Sequence, residues 1–232
     1  MDNVTRSLAS ALDLAEFEIP VNERLLSAES EARLIRIADI IIASLALVCF
    51  LPLMLFIALA IFVTDPGPIM FVHRRIGKGG KTFGCIKFRT MVCNADERLQ
   101  ELLKTCPQSR IQWQRDHKLV NDPRIISIGA FLRKSSLDEL PQLFNVLRGE
   151  MSLVGPRPIV AAEIPRYGRY FIHYCSMKPG ITGLWQVSGR NATTYQRRVA
   201  LDTVFSQTFC LKIYLKILFA TIPVIVLAKG AR

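Results

Sequence analysis

The chain has 232 residues, a net charge of +11, 50% hydrophobic residues and a mean hydropathy of +0.28. The length suits one domain, or one with an appendage, and a real core without staples; the positive hydropathy excludes a disordered protein. Charge is unevenly placed, because residues 1–30 hold six acids and two arginines and leave +15 to the rest, a balance that points to phosphate, nucleic acid or an acidic membrane surface.

Taken from the N-terminus, residues 1–32 read as an acidic tail expected to be disordered. Residues 33–65 follow as a membrane segment, with 25 uncharged residues between Asp39 and Asp65. A straight helix of that length is ~37 Å long, enough for a ~30 Å hydrocarbon core. Two features argue against a simple span. Pro52 sits at the centre, where it removes a backbone donor. Both flanks are basic, with Arg33 and Arg36 before and Arg74, Arg75, Lys78 and Lys81 after. Positive charge marks the cytoplasmic side, so a helix–break–helix that re-enters the same leaflet is favoured over a kinked span.

Residues 66–208 form the soluble body. Ile69–Val72 and Thr82–Phe88 read as strands joined by a Lys78-Gly79-Gly80-Lys81 turn. Ala95–Lys104 reads as a helix with acids in its first turn. Asn121-Asp122-Pro123 starts a turn, and Leu137–Leu147 is a helix ended by Gly149. The region 152–190 is rich in Gly and Pro and is expected to be built from loops. Residues 209–232 form an apolar C-terminal segment with Lys212 and Lys216 on one face. It is too short to span and reads as an interfacial amphipathic helix or a packed core helix. The predicted class is therefore α+β and helix-rich, with a small β-hairpin. Six cysteines without a CxxC, and only three histidines, show no zinc pattern and suit a reducing compartment. His73, His117 and His173 are isolated and read as structural.

Asp138 and Glu139 carry the strongest chemical signal. Ser136-x-x-Glu139 matches a capping box, which alone would explain both acids. With Ser136 as cap, Pro141 falls where a backbone donor is needed; with Asp138 as cap, it falls harmlessly in the first turn. A carboxylate at a helix N-terminus is held ionised, as a nucleophile or metal ligand requires. Around this pair lie Lys87 and Arg89, expected on one face of a strand, and Arg133. Arg157 sits in Gly155-Pro156-Arg157-Pro158, where two prolines fix the direction of its guanidinium for phosphate. Lys178–Arg190 adds a glycine-rich loop with Trp185, Gln186 and Arg190. No Walker A, GxGxxG or HExxH is present.

Together these stretches resemble the bacterial sugar transferases, the monotopic phosphoglycosyl transferases. The matching runs are Phe71-x-His73-x-Arg75-x-Gly77, KFRTM (87–91), DPR (122–124), SLDELPQLFNVLRGEMSLVGPRP (136–158) and KPGITGLWQVSGRN (178–191). The branch most resembled starts exopolysaccharide repeat units with galactose-1-phosphate. The resemblance implies transfer of a sugar-1-phosphate from a UDP-hexose to undecaprenyl phosphate, with release of UMP. It places the enzyme among phospholipids at the cytoplasmic face of the bacterial inner membrane, with Mg²⁺ as cofactor. Asp138 would be the nucleophile that forms a covalent phosphosugar intermediate. Glu139 would be the second carboxylate, and both acids are candidate metal ligands. Lys87, Arg89, Arg133, Arg157, Arg190 and Gln186 are candidate substrate ligands. Galactose is the first expectation, then glucose, then an N-acetylhexosamine. A homo-oligomer is left open. The rival readings are a nucleic-acid-binding membrane protein, which would not need Asp138, and a non-enzymatic adaptor, against which the intact acid pair speaks; nucleic acid is not an expected partner.

Overall fold

The computed structural model describes residues 21–116, 119, 122–189 and 194–226. Residues 1–20, His117, Arg190 and residues 227–232 lie outside them, so the reading for Arg190 and for the first twenty residues of the acidic tail finds no counterpart here, whereas residues 21–32, expected disordered, form the first turns of a long helix. In chain order the elements are helix α1 (Val21–Thr64), strands β1 (Met70–Ile76) and β2 (Thr82–Phe88), helices α2 (Ala95–Thr105), α3 (Pro107–Asp116), α4 (Ser127–Ser135) and α5 (Gln142–Arg148), and strand β3 (Ser152–Val154). Then come α6 (Ile164–Tyr167), α7 (Phe171–Ser176), strand β4 (Gly180–Thr182), α8 (Leu184–Val187), α9 (Tyr195–Thr208) and α10 (Leu211–Val226). The helix-rich α+β class and the small hairpin are as predicted. β1 and β2 pair antiparallel, with Met70 opposite Phe88 and Ile76 opposite Thr82. Gly79 and Gly80 both take positive φ in the turn between them, a conformation open to glycine at little cost. β3 and β4 pair in parallel.

α1 runs without interruption through Pro52, where a helix–break–helix was expected. A proline deletes one backbone bond but leaves the neighbouring turns able to continue. The helix buries one stripe, Ile35, Asp39 and Ala43, then Met54, Ile57 and Ile61. The first half packs with Val146, Leu153, Tyr214 and Ile217, the second with Phe88, Ile126 and Leu132. Between them residues 48–52 are exposed on every side. The outward face is lined by exposed apolar side chains, among them Leu45, Leu55, Phe56, Leu59 and Val63.

Polar contacts fix this helix to the body. Arg36 donates to the carbonyls of Val146 (2.6 Å) and Leu147 (2.9 Å) in the last turn of α5, where a cation complements the helix dipole. The buried Asp39 carboxylate accepts from Ser152 Oγ (3.1 Å), Leu153 N–H (2.9 Å) and Tyr214 O–H (2.9 Å). At the other end Asp65 is ion-paired with Arg89. α10 turns Ile213, Tyr214 and Ile217 into the core and leaves Phe219 and Ile222 exposed. It thus has the packed face of one sequence reading and the outward apolar face of the other.

Asn145 sets the register between α5 and the hairpin. Its fully buried side chain donates to Gly84 O (2.7 Å) and Glu150 Oε2 (2.6 Å) and accepts from Ile86 N–H (3.0 Å). Breaking a buried polar network leaves its partners unsatisfied. Asn145→Ala is expected to lower stability by about 2–4 kcal/mol, measured by chemical denaturation in detergent. A loss below about 0.5 kcal/mol would remove Asn145 as the staple.

Candidate active site

The acid pair sits in a short turn rather than at the start of a long helix. α4 ends at Ser136, which has φ +60° and ψ +16° and is the one non-glycine residue with positive φ among the described residues. A single 3₁₀ turn, Leu137–Glu139, follows, and α5 begins only at Gln142. The helix expected over 137–147 is cut because Pro141 cannot donate. Ser136 makes no side-chain cap, so the capping-box reading of the acids fails. A three-residue turn also supplies no macrodipole of the kind expected to hold Asp138 ionised.

The two carboxylates are pushed in opposite directions. Burial raises Asp138 to about 6, with Glu139 adding to it and Lys87 and Arg133 opposing. Burial would also raise Glu139, but Arg157 and Lys87 outweigh it and hold that carboxyl below the usual range. Lys87 Nζ lies 2.6 Å from Glu139 Oε1, and Arg157 Nη2 lies 3.8 Å from the same oxygen. No side chain among the described residues donates a hydrogen bond to Asp138. Adjacent acids with separated pKa values are how one site obtains two roles.

Lys87, Glu139 and Arg157 border an open cleft, lined also by Arg75, Gln142 and Gln186 among others. Its three cations face one carboxylate, so the cleft is built for an anion. The arginine loop is fixed from behind. Gly155 N–H donates to Thr182 O and Gly180 N–H to Pro156 O, both at 2.8 Å. A Cβ on Gly155 or Gly180 would meet backbone at 2.3 or 2.0 Å, so both positions require glycine. Arg198 donates to Arg157 O at 3.2 Å and lies 5.1 Å from the centre of the Trp185 ring.

The predicted residues divide accordingly. Glu139, Lys87, Arg157 and Gln186 line one cleft, and Asp138 is coupled electrostatically to Lys87 and Glu139. Arg133 approaches Asp138 electrostatically while its Nε donates to Thr90 Oγ1 at 2.8 Å. Arg89 does not line the cleft; it pairs with Asp65 and donates to Asp65 O and Cys93 Sγ. Lys87 and Arg89 therefore separate because β2 ends at Phe88. Arg75 and Gln142 were missed. Arg75 sits two residues after His73 on β1, in register with Phe83, and its alternation with Ile76 was the available signal. Gln142 was hidden by its place beside Pro141 in an apolar helix.

A basic cleft lined by the paired Glu139, with the unpaired Asp138 next to it in the chain, on a body strapped to a long apolar helix, suits phosphate-bearing substrates. Residues 30–228 match the sequence profile described as bacterial sugar transferase, and the chain belongs to that family. It is 52% identical over 196 residues to an uncharacterized sugar transferase of Haemophilus influenzae, covering 84% of this chain and 41% of that protein. It is 48% identical over 193 residues to the exopolysaccharide production protein ExoY of Rhizobium meliloti, covering 83% and 85%. It is 48% identical over 206 residues to the undecaprenyl-phosphate galactose phosphotransferase of Salmonella typhimurium, covering 89% and 43%. The chain thus spans less than half of the first and third of these relatives and most of the second.

Because folding raises the Asp138 pKa from 3.8 to about 6, the folded state holds this proton more tightly than the unfolded chain. Its contribution to stability therefore falls as pH rises from about 4 through about 6 and stays low above. Asp138→Asn is expected to stabilise the protein at pH 7.5 by roughly 1–3 kcal/mol and to flatten that pH dependence. Thermal melting at pH 5 and 7.5 checks it; a lower melting temperature for the variant at pH 7.5 would mean that the surrounding cations outweigh burial.

Proposed function

We propose that this protein transfers hexose-1-phosphate, with galactose as the hexose, from UDP-hexose to undecaprenyl phosphate and so starts exopolysaccharide repeat-unit assembly. The name of the Salmonella relative, undecaprenyl-phosphate galactose phosphotransferase, supports the acceptor and the sugar, and that of the Rhizobium relative supports the destination. The observation that carries the chemistry is the split acid pair, Glu139 bound by Lys87 and Arg157 and Asp138 left without a side-chain partner.

The Asp138 carboxylate oxygen attacks the β-phosphorus of the donor. The bond from that phosphorus to the bridging oxygen breaks, UMP leaves with the electron pair, and an aspartyl phosphosugar forms. An oxygen of the lipid phosphate then attacks the same phosphorus, and the bond to Asp138 breaks, restoring the carboxylate. Covalent catalysis divides one transfer between a soluble and a lipid substrate into two steps. With a pKa near 6, Asp138 is roughly nine-tenths ionised at pH 7 yet less stabilised than a solvated carboxylate, which favours attack. Lys87, Arg157 and Arg75 face the anionic donor and stabilise charge on the transferring phosphoryl group.

Mg²⁺ is proposed as the cofactor that would screen the donor diphosphate when bound. No group of three His, Cys, Asp or Glu side chains placed to hold a metal is found among the described residues, and Glu139 is occupied by cations. The donor set therefore fits an ion held by Asp138 and substrate phosphates, the usual habit of Mg²⁺. It does not fit a closed protein cage.

The site is placed at the cytoplasmic face of the inner membrane. A spanning α1 would carry Ile35 and Ile61, ~39 Å apart along a straight helix, to opposite sides of a ~30 Å hydrocarbon core. Both halves instead pack on one body, and the turn at 48–52 projects free of it. Packing of both halves on one body supports a placement of both ends of α1 on the same side of the bilayer, with α10 lying beside it and phospholipids covering the exposed apolar faces.

Wild-type protein in detergent is expected to release UMP from UDP-galactose faster than from UDP-glucose or UDP-N-acetylhexosamines, and to gain one hexose phosphate by mass spectrometry under conditions that preserve acyl phosphates. Asp138→Asn should lose both by at least about 10³-fold; unchanged turnover would exclude Asp138 as nucleophile. The rate of adduct formation should rise through about pH 6 and then level. Single cysteines placed at 33 and 81, with Cys49, Cys93, Cys106, Cys175 and Cys210 replaced and the buried Cys85 kept, should both be labelled from the cytoplasmic side. Labelling from opposite sides would establish a span.

A further inference from the structure

Two side chains in the cleft keep hydrogen-bonding capacity that the protein does not use. Gln142, at the first position of α5, is 2% exposed and lines the cleft; its amide has no hydrogen-bond partner among the described residues. Gln186, 8% exposed, lines the same cleft. Its Nε2 donates to Ile181 O at 3.3 Å, and its Oε1 is buried without a partner. A buried acceptor left unmet, as at Gln186, is costly, and beside the Gln142 amide it marks a place where a ligand completes the bonding.

The chemistry of that ligand follows from the groups on offer. Phosphate oxygens at neutral pH only accept, and the cations Arg75, Lys87 and Arg157 suit them. An amide presents a donor and an acceptor together, which matches hydroxyls that also donate and accept. Position selects between the neutral ends of a UDP-sugar. Gln142 opens α5 just after the acid turn and lines the same cleft as Glu139. In an in-line displacement UMP departs from the face opposite the attacking carboxylate, whereas the hexose stays on the phosphorus. We propose that Gln142 and Gln186 form the subsite that hydrogen-bonds the hydroxyls of the transferred hexose, an inference that rests on the phosphoglycosyl transfer proposed above.

The test uses the full chain in detergent, with UDP-galactose, its single-deoxy analogues and UMP as probes, and the variants Gln142→Met and Gln186→Met. Each variant is expected to raise KM for UDP-galactose about tenfold while the inhibition constant of UMP stays within about twofold. An unchanged KM, or a parallel rise in the UMP constant, overturns the subsite. In the wild type at least one deoxy analogue should raise KM about tenfold, and that penalty should vanish in a Met variant. A penalty of the same size in wild type and variants also overturns it, whatever the variants do to stability. If the wild type releases no UMP from any UDP-hexose, the transfer reading fails. The subsite is then decided by thermal shift, where UDP-galactose must stabilise the wild type more than UMP does and the Met variants must lose that difference.

Discussion

The rest of the site depends on how Lys87 and Arg157 divide two adjacent acids. Both cations converge on Glu139, and the neighbouring carboxylate is left half-buried with its charge incompletely matched. An even distribution would have produced two ordinary low-pKa acids, stable and unreactive. The uneven one leaves the charge at position 138 incompletely compensated, and in the proposed mechanism a developing bond to phosphorus relieves it. The scaffold supports this asymmetry from several directions. Asn145 fixes α5 against β2 and so fixes the acid turn against Lys87. The glycine contacts of the 155 and 180 loops fix Arg157.

The membrane helix and the catalytic body are one packing unit. Polar anchors sit at both ends of the uncharged run, Arg36 and Asp39 at one and Asp65 at the other. Between them the inward stripe joins two of the hydrophobic clusters. The arrangement joins the body that carries the cleft to the helix that carries the exposed apolar face. It also explains why Arg89, which looks in sequence like a partner of Lys87, serves the helix exit instead.

Much of the fold was legible because local rules decide it. The hairpin follows from alternating residues around two glycines, α2 from an acidic first turn, and the end of α5 from Gly149 at positive φ. The acid pair, Lys87, Arg157 and Gln186 were legible from motif and charge. What was not legible depends on contacts between distant segments. The turn at 137–139 reads as a helix start until Ser136 is seen in the left-handed region. The ionisation of Asp138 was misjudged because a cap and a macrodipole were expected where burial dominates. Gln142 and Asn145 lie in an apolar helix, and nothing local distinguishes a polar side chain facing a cleft or a strand from one facing water.

The Asp39 carboxylate has a consequence for biogenesis. An acid at the edge of the apolar run resists entry into lipid, and its three donors come from β3 and α10, which the ribosome makes more than a hundred residues later. The seat of the helix is therefore complete only once the C-terminal helix has been made, and a chain truncated before Tyr214 lacks one of the three donors.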